Sequence, residues 1–368
     1  MEPFKNLLNL KAAEKISQAL GRASPQFDQQ AFLQDLETEL NPLELKQRVL
    51  LLRSRLDLAL PKSPQSSFPI LMRALQQDKT DNVGLSGFLV WPLTQFVMDN
   101  GLNDFEISMR ALHAMTQVFT AEFAIRPFLV QYEEKTLEKL MLWTQDDSEH
   151  VRRLSSEGSR PLLPWGQKLS SFVKSPEKTW PLLEALKEDS SKYVQKSVAN
   201  HLNDHSKNHQ EWLIKNLKKW KSENRDQASV DWIIRHGTRS LIKRGHPGAL
   251  ALQGVRAIDF KKLKIKVTPD QMKLGGSLTI DLTIQNPTGK KILVIADVEI
   301  LLLKSNGQHQ PKVFKGKKFP LMAHETLSTK INIPLKKVTT RRYYPGKQGC
   351  RLLLNGIHQK TKWFNLSV

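Results

Sequence analysis

The run Val151-Arg152-Arg153-Leu154-Ser155-Ser156-Glu157-Gly158-Ser159-Arg160-Pro161-Leu162-Leu163-Pro164-Trp165-Gly166 concentrates residue types that could do chemistry. Arg153 and Glu157 are four apart and share one face if the run is helical. Gly158 costs about 1 kcal/mol relative to Ala inside a helix, so its presence predicts close approach of another backbone. Pro161 and Pro164 then end the helix and present Trp165 on a rigid turn. A carboxylate beside arginines, with an aromatic face at hand, can stabilise a cation. The same spacing also suits a plain salt-bridged helix end with a packing tryptophan.

A second stretch, Ser197-Val198-Ala199-Asn200-His201-Leu202-Asn203-Asp204-His205, places Asn200 and Asp204 on one helical face. A third, Val118 through Pro127, sets Glu122 in an apolar helical context with Arg126 four residues on, where an i,i+4 ion pair is the simplest reading. His201, His205 and His209 are also spaced by four, which raises a zinc site. The Glu that a zincin motif places after the first His is replaced by Leu202, so no metal is expected, and phosphate contact or a helix-end dipole accounts for these histidines.

The elements that must position these residues follow from periodicity. Leu45, Val49, Leu52 and Leu56 fit one helical face, as do Leu137, Leu140 and Trp143. The segment around Glu134-Lys135-Thr136 recurs 43 positions later at Glu177-Lys178-Thr179, and Leu140, Asp146 and Val151 map onto Leu183, Asp189 and Val194 at the same offset. Ser148 and Ser191 then stand where helix caps belong. A helix-pair repeat of about 40–47 residues is the HEAT/armadillo size, and such pairs stack into curved solenoids. The offset puts Asp204 one repeat along from Glu157, so two carboxylates on adjacent helices can converge. Near residue 258 the pattern turns to period two, as in Leu263-Lys264-Ile265-Lys266-Val267 and Leu278 through Ile284. Asn286-Pro287-Thr288-Gly289, Asn306-Gly307, Pro345-Gly346 and Asn355-Gly356 punctuate it. The fold class is therefore mainly α: a HEAT-like α-solenoid over 1–257, followed by an all-β immunoglobulin-like sandwich over 258–368.

Charge narrows the partner. The chain carries 56 Lys+Arg against 36 Asp+Glu, a formal +20, and such a field points to a polyanion. Residues 258–368 hold 21 basic against 6 acidic side chains, and the preceding part 35 against 30. Among the clusters are Lys315 with Lys317 and Lys318, and Arg341 with Arg342, several of them in predicted turns. Arg235, Arg239, Lys243 and Arg244 form a basic stripe on a helix, which Gly245 and Pro247 then stop. Together these suit a DNA-scale polyanion, since affinity grows with the number of phosphates neutralised. Arg152, His205, Arg239, Lys243, Arg244, Lys315, Lys317, Lys318, Arg341 and Arg342 are the candidate backbone contacts. The most apolar run, Ile292 to Leu303, is broken by Asp297 and Glu299, and the N-terminus lacks a signal-peptide pattern. Cys350 is the single cysteine, which rules out an internal disulfide framework. These features point to the cytoplasm and away from a membrane.

The run from Glu157 to Gly166 resembles the signature of the AlkC/AlkD superfamily of DNA alkylation-repair glycosylases. Ser197 through Asp204 and His236-Gly237-Thr238-Arg239-Ser240-Leu241 are similar to its AlkC branch, and the likeness spans about residues 25–257. Some members of that branch carry an immunoglobulin-like domain at the C-terminus. The resemblance implies excision of cationic alkylated bases, N3-methyladenine and N3-methylcytosine, with no cofactor; double-stranded DNA is the expected partner, and a monomer suits a clamp on it. It carries the catalytic role onto Glu157, Asp204 and Glu122, with Trp165, Arg153 and Arg160 at the lesion or sugar. Glu157 is the first choice for stabilising a sugar cation and activating water. The pocket is then acidic, and the flanking arginines and the basic β-domain hold the phosphates. AlkD-type members resemble bending clamps more than deep base-flipping pockets, and the same broad mode is expected here. A non-catalytic HEAT scaffold for DNA or protein, in which Glu157 and Asp204 are ordinary ion-pair residues, is the alternative. A metal-dependent hydrolase built on the histidines is a more distant one.

Overall fold

The apolar period of the first half closes into helices with one buried face each. In helix Leu45–Ala59, Val49, Leu52 and Leu56 are buried while Leu50 and Leu58 stay exposed. In helix Glu133–Trp143 the buried positions are Thr136, Leu140 and Trp143. The computed structural model describes residues 3–76, 84–223, 227–339 and 341–368. Contacts divide the chain into two compact units, one made of Met1–Asn208 with Ala228–Ile233, the other of His209–Gln227 with Ile234–Val368. Among the described residues no helix is long and apolar enough to cross a membrane.

The first unit is helical around one apolar core that runs through Ile16, Phe32, Leu52, Phe68, Leu112, Phe128 and Leu154. The 43-residue repeat is a pair of helix pairs: Glu133–Trp143 with Glu149–Glu157, and Trp180–Leu186 with Lys192–His205. Each copy turns on the same device. The Asp146 carboxylate accepts the Ser148 N–H at 2.9 Å, and the Asp189 carboxylate accepts the Ser191 N–H at 2.8 Å. Each aspartate is also tied to a base on an earlier helix. His113 Nε2 lies 2.7 Å from Asp146, and Arg152 Nε 2.7 Å from Asp189. Burial raises the Asp146 pKa, but the His113 contact and the Ser148 N–H outweigh it and hold the carboxyl below its ordinary range. Helices Glu149–Glu157 and Lys192–His205 pack side by side, which is the juxtaposition the repeat offset predicts for Glu157 and Asp204.

The second unit contains the sandwich. Its strands are β1 (Lys261–Thr268), β2 (Gln271–Lys273), β3 (Ser277–Gln285), β4 (Ile292–Leu303), β5 (His309–Leu321), β6 (Thr326–Pro334), β7 (Gly346–Leu354), β8 (Ile357–His358) and β9 (Lys362–Ser367). One sheet runs β1-β3-β6; the other runs β2-β9-β7-β4-β5, with β8 paired to β7. In β3 the alternation is complete, with Leu278, Ile280, Leu282 and Ile284 buried and their neighbours facing out. Asp297 and Glu299, the two charges inside β4, are both accommodated. A bulge there lets the Asp297 carboxylate accept the Gly316 N–H, and Glu299 pairs with Arg351.

The compact unit does not begin where the strand pattern does. Helices Gln210–Glu223, Arg239–Lys243 and Pro247–Leu252 belong with the strands. The reason is a close backbone approach. Gly245 and Gly356 both have positive φ, +73° and +84°, and a Cβ built on Gly245 would lie 2.7 Å from the Gly356 carbonyl oxygen. Neither position has room for a side chain or a conformation that favours one. Asn355 Nδ2 donates to the Arg256 carbonyl at 2.9 Å and reinforces the contact.

Candidate active site

Glu122, Arg153, Glu157, Arg160, Asp204 and Lys207 form one line of alternating charge. Arg153 Nη1 is 2.9 Å from Glu122 Oε2, and Arg153 Nη2 is 3.6 Å from Glu157 Oε1. Arg160 Nη1 donates to Glu157 Oε1 at 2.7 Å, and its Nε donates to Asp204 Oδ2 at 2.9 Å. Lys207 Nζ reaches Asp204 Oδ1 at 3.2 Å. Ser197 Oγ fills the remaining side of Glu157, donating to Oε2 at 2.6 Å. Thr120 Oγ1 donates to Glu122 and accepts from Arg153. The Tyr193 ring lies 4.6 Å from the Arg153 guanidinium carbon. The site is therefore not the acidic pocket expected from the carboxylates alone: three carboxylates face three cations. Low local dielectric makes this pairing obligatory, since an unpartnered buried charge is costly. Burial lowers the Arg160 pKa, but Glu157 and Asp204 outweigh it and raise the value, so its guanidinium is a permanent cation.

Exposure is graded along the line. The side chains of Glu122 and Arg153 are each 14% exposed, Glu157 7% and Asp204 2%. Glu122 is the carboxylate nearest the surface and Asp204 the most enclosed. Glu122 does not sit in a helix beside Arg126, as its spacing suggests. It lies in the turn before helix Arg126–Gln131. Pro127, at the second helical position, has no N–H to give a carbonyl four residues back, so a regular helix cannot run through it from Glu122 and begins in its first turn instead.

Arg126 has a different task. Its side chain is fully buried and its fork donates to three main-chain carbonyls: Gln167 at 2.6 Å, Gly158 at 2.7 Å and Arg160 at 2.9 Å. Burial pushes its pKa down to about 10, with the Arg160 charge adding to the effect. This one guanidinium spans the loop from Gly158 to Gln167, and the spacing of the sequence gives no sign of it. Gly158 is the C-cap of helix Glu149–Glu157, and what it admits is a side chain, not another backbone: a Cβ there would lie 2.6 Å from Ile125 Cγ2. The prolines present Trp165 as expected. It is 71% exposed, with φ of 65°. That left-handed conformation strains a bulky residue; Arg126 anchors the loop on either side of it, and Lys46 Nζ donates to the Trp165 carbonyl itself. Beside Trp165 lies a groove of about 190 Å³ lined by Lys46, Leu50, Trp91, Met98, Phe123 and Gln167, among others.

Two family models match the chain: one described as DNA alkylation repair enzyme, over residues 113–241, and one described as the C-terminal Ig-like domain of Uncharacterised protein YhaZ, over residues 261–368. The chain is 36% identical over 358 residues to "Uncharacterized protein YhaZ" of Bacillus subtilis (strain 168), covering 97% of each. It is also 36% identical to the Pseudomonas fluorescens alkylpurine DNA glycosylase AlkC, solved bound to DNA containing an abasic site analog, with a TM-score of 0.88 over 100% of both chains. The chain belongs to the AlkC branch of the AlkC/AlkD DNA alkylation-repair superfamily.

Within this AlkC-type chain the candidate backbone contacts fall into two groups. Arg152 and His205 are held inside the repeats. Arg152 grips Asp189 through Nε and Nη2 and donates to the Asp146 and Asp147 carbonyls. His205 is buried against His201, their rings 4.9 Å apart, and both bond Thr179 Oγ1 at 3.1 Å. Burial, with the His205 ring adding to it, pushes the His201 pKa well below its usual value. His209 belongs to the other compact unit. Among the described residues no group of three His, Cys, Asp or Glu side chains could hold a metal ion. Lys243, Arg244, Lys315, Lys317, Lys318 and Arg342 are exposed. Arg239 donates to the His236 carbonyl, and Arg341 donates to the Tyr343 hydroxyl while lying 5.5 Å from the Phe314 ring centroid. Lys315, Lys317 and Lys318 stand in strand β5, not in a turn. That strand is at the sheet edge, where charged side chains block further pairing.

Proposed function

We propose that this chain is a DNA glycosylase that excises cationic alkylated bases, N3-methyladenine and N3-methylcytosine, from double-stranded DNA. The observation that carries the reading is the full-length likeness to AlkC together with the line of three carboxylates held by arginines. A base alkylated at such a nitrogen is already cationic, so it leaves neutral when the bond to C1′ breaks and takes the bonding pair. No general acid is needed. The sugar is left with cationic character, water adds to C1′, and a carboxylate accepts the proton. Glu122, Glu157 and Asp204 are the groups proposed to supply that charge, with Arg153 and Arg160 fixing them. Because Glu122 is the least enclosed, it is the carboxylate that meets the sugar first, with Glu157 and Asp204 behind it. Preorganised charge of this kind contributes about 10²–10³ in rate. The exposed basic residues of the second unit, Lys315, Lys317, Lys318 and Arg342 foremost, are proposed to hold the phosphates.

The test is release of free base from methylated duplex DNA in the presence of a chelator, comparing wild type with Glu157→Gln and Asp204→Asn. The expected result is release by wild type and a loss of about 10²–10³-fold in each variant with DNA binding retained. One observation favours a second reading. Glu157 and Asp204 are both fully ion-paired, as they would be in a scaffold that binds DNA without chemistry. Tight DNA binding with no base released would establish that scaffold.

A further inference from the structure

The groove beside Trp165 already holds a cation. Lys46 Nζ lies 5.8 Å from the centroid of Trp165 and 5.8 Å from that of Phe123, and it donates to the Trp165 carbonyl at 2.9 Å. Among the described residues it makes no ion pair with a carboxylate, and the groove lining contains none. Its place on its own helix is also unfavourable. Lys46 is in the first turn of Leu45–Ala59, where the helix dipole disfavours positive charge; the N-cap Glu44 next to it pairs with Lys5 instead. A lysine kept there without a carboxylate partner is held by the Trp165 carbonyl and two aromatic faces. Aromatic faces are also what recognise cationic and quaternary ligands.

We propose that the Lys46 ammonium occupies, in the free protein, the seat taken by a cationic alkylated base, so that it is a displaceable competitor setting the affinity of this groove for cations. The inference rests on the glycosylase reading for the identity of the ligand. Entry of the base transfers the Trp165 and Phe123 faces from one cation to another. The lysine must leave, because two like charges in one small aromatic groove repel. Lys46 is thereby a specificity-determining residue: a neutral base gains nothing from the exchange.

The probe is 3,9-dimethyladeninium, a permanently cationic adenine, with neutral 9-methyladenine as control. Each is titrated calorimetrically at millimolar concentration into the full chain, as wild type, Lys46→Gln and Lys46→Met. Glutamine keeps a neutral donor for the Trp165 carbonyl, and methionine removes donor and charge together. The expected result is a drop in Kd for the cation of roughly two- to five-fold in Lys46→Gln, the size of one exposed cation–π interaction, with 9-methyladenine unchanged. An unchanged or weaker Kd in Lys46→Gln, or no binding by any of the three proteins, overturns the proposal. So does weakening in Lys46→Met alone, which would show that Lys46 only pins the carbonyl. Tighter cation binding in Lys46→Gln without base release from methylated DNA by wild type would overturn the glycosylase reading and leave this one standing. Base release with an unchanged Kd would do the reverse.

Discussion

At the scale of single residues, one guanidinium, that of Arg126, fixes the loop from Gly158 to Gln167 by donating to three of its carbonyls. Glu157 and Arg153 advertise themselves by i,i+4 spacing, Asp204 by its repeat offset, and Arg160 only through the family resemblance. Arg126 bonds carbonyls 32 to 41 positions away, and main-chain acceptors leave no mark on a sequence. Lys46 and Trp165 are separated by 119 positions. Such contacts become legible only when the repeats are stacked. Arg126 also makes a firm prediction. Lysine carries the charge but not the planar fork that spans three acceptors. Arg126→Lys should loosen the turn that carries Trp165, and misplacement of that kind can lower base release by up to about 10²-fold. Single-turnover base release, with a melting curve to show that the variant is folded, checks it. Unaltered turnover would mean that the clamp is dispensable for the chemistry.

At the scale of elements, the repeat is legible because its turns are built from side chains. Asp146 and Asp189 each accept the N–H of the N-cap serine of the next helix, so their spacing survives in the sequence. The side chains that bind one repeat to the next differ, His113 in one case and Arg152 in the other, and periodicity alone cannot find them. Glu122 reads as helical because its apolar neighbours outweigh, in a pattern of spacing, the proline that ends that possibility. Asp146 yields a pH prediction. Its folded pKa lies below the ordinary 3.8, so its stabilising effect is fully present above that value and is lost as pH falls through the folded value. Asp146→Asn keeps an oxygen for the Ser148 N–H but loses the charge. The stability gap between wild type and variant should close as pH drops below 3.8, as read from thermal melts. A gap independent of pH down to the acid limit would mean that the charge contributes nothing.

At the scale of the whole molecule, the composition shift toward lysine survives as an exposed array, in a place that the turn pattern does not suggest. Strand β5 holds Lys315, Lys317 and Lys318, and the β4–β5 bulge breaks the alternation by which a strand is recognised. If these lysines meet phosphates, replacing all three by glutamine should reduce the slope of log K against log salt by about 0.9 for each phosphate no longer neutralised. Binding to undamaged duplex measured between low and moderate salt gives the slope directly. An identical slope in the variant would assign the charge to something other than DNA.

The approach of Gly245 to Gly356 bears on how such a molecule could be assembled or taken apart. Two chain reversals, 111 positions apart, meet with no space for a methyl group on either. The sandwich is thus not a cassette that could be appended to any helical array at residue 258. Its hairpin tip is shaped to a particular loop that lies upstream of the first strand. A rearrangement that moved the strands alone would leave that loop behind, and the hairpin tip would lose the surface it packs on.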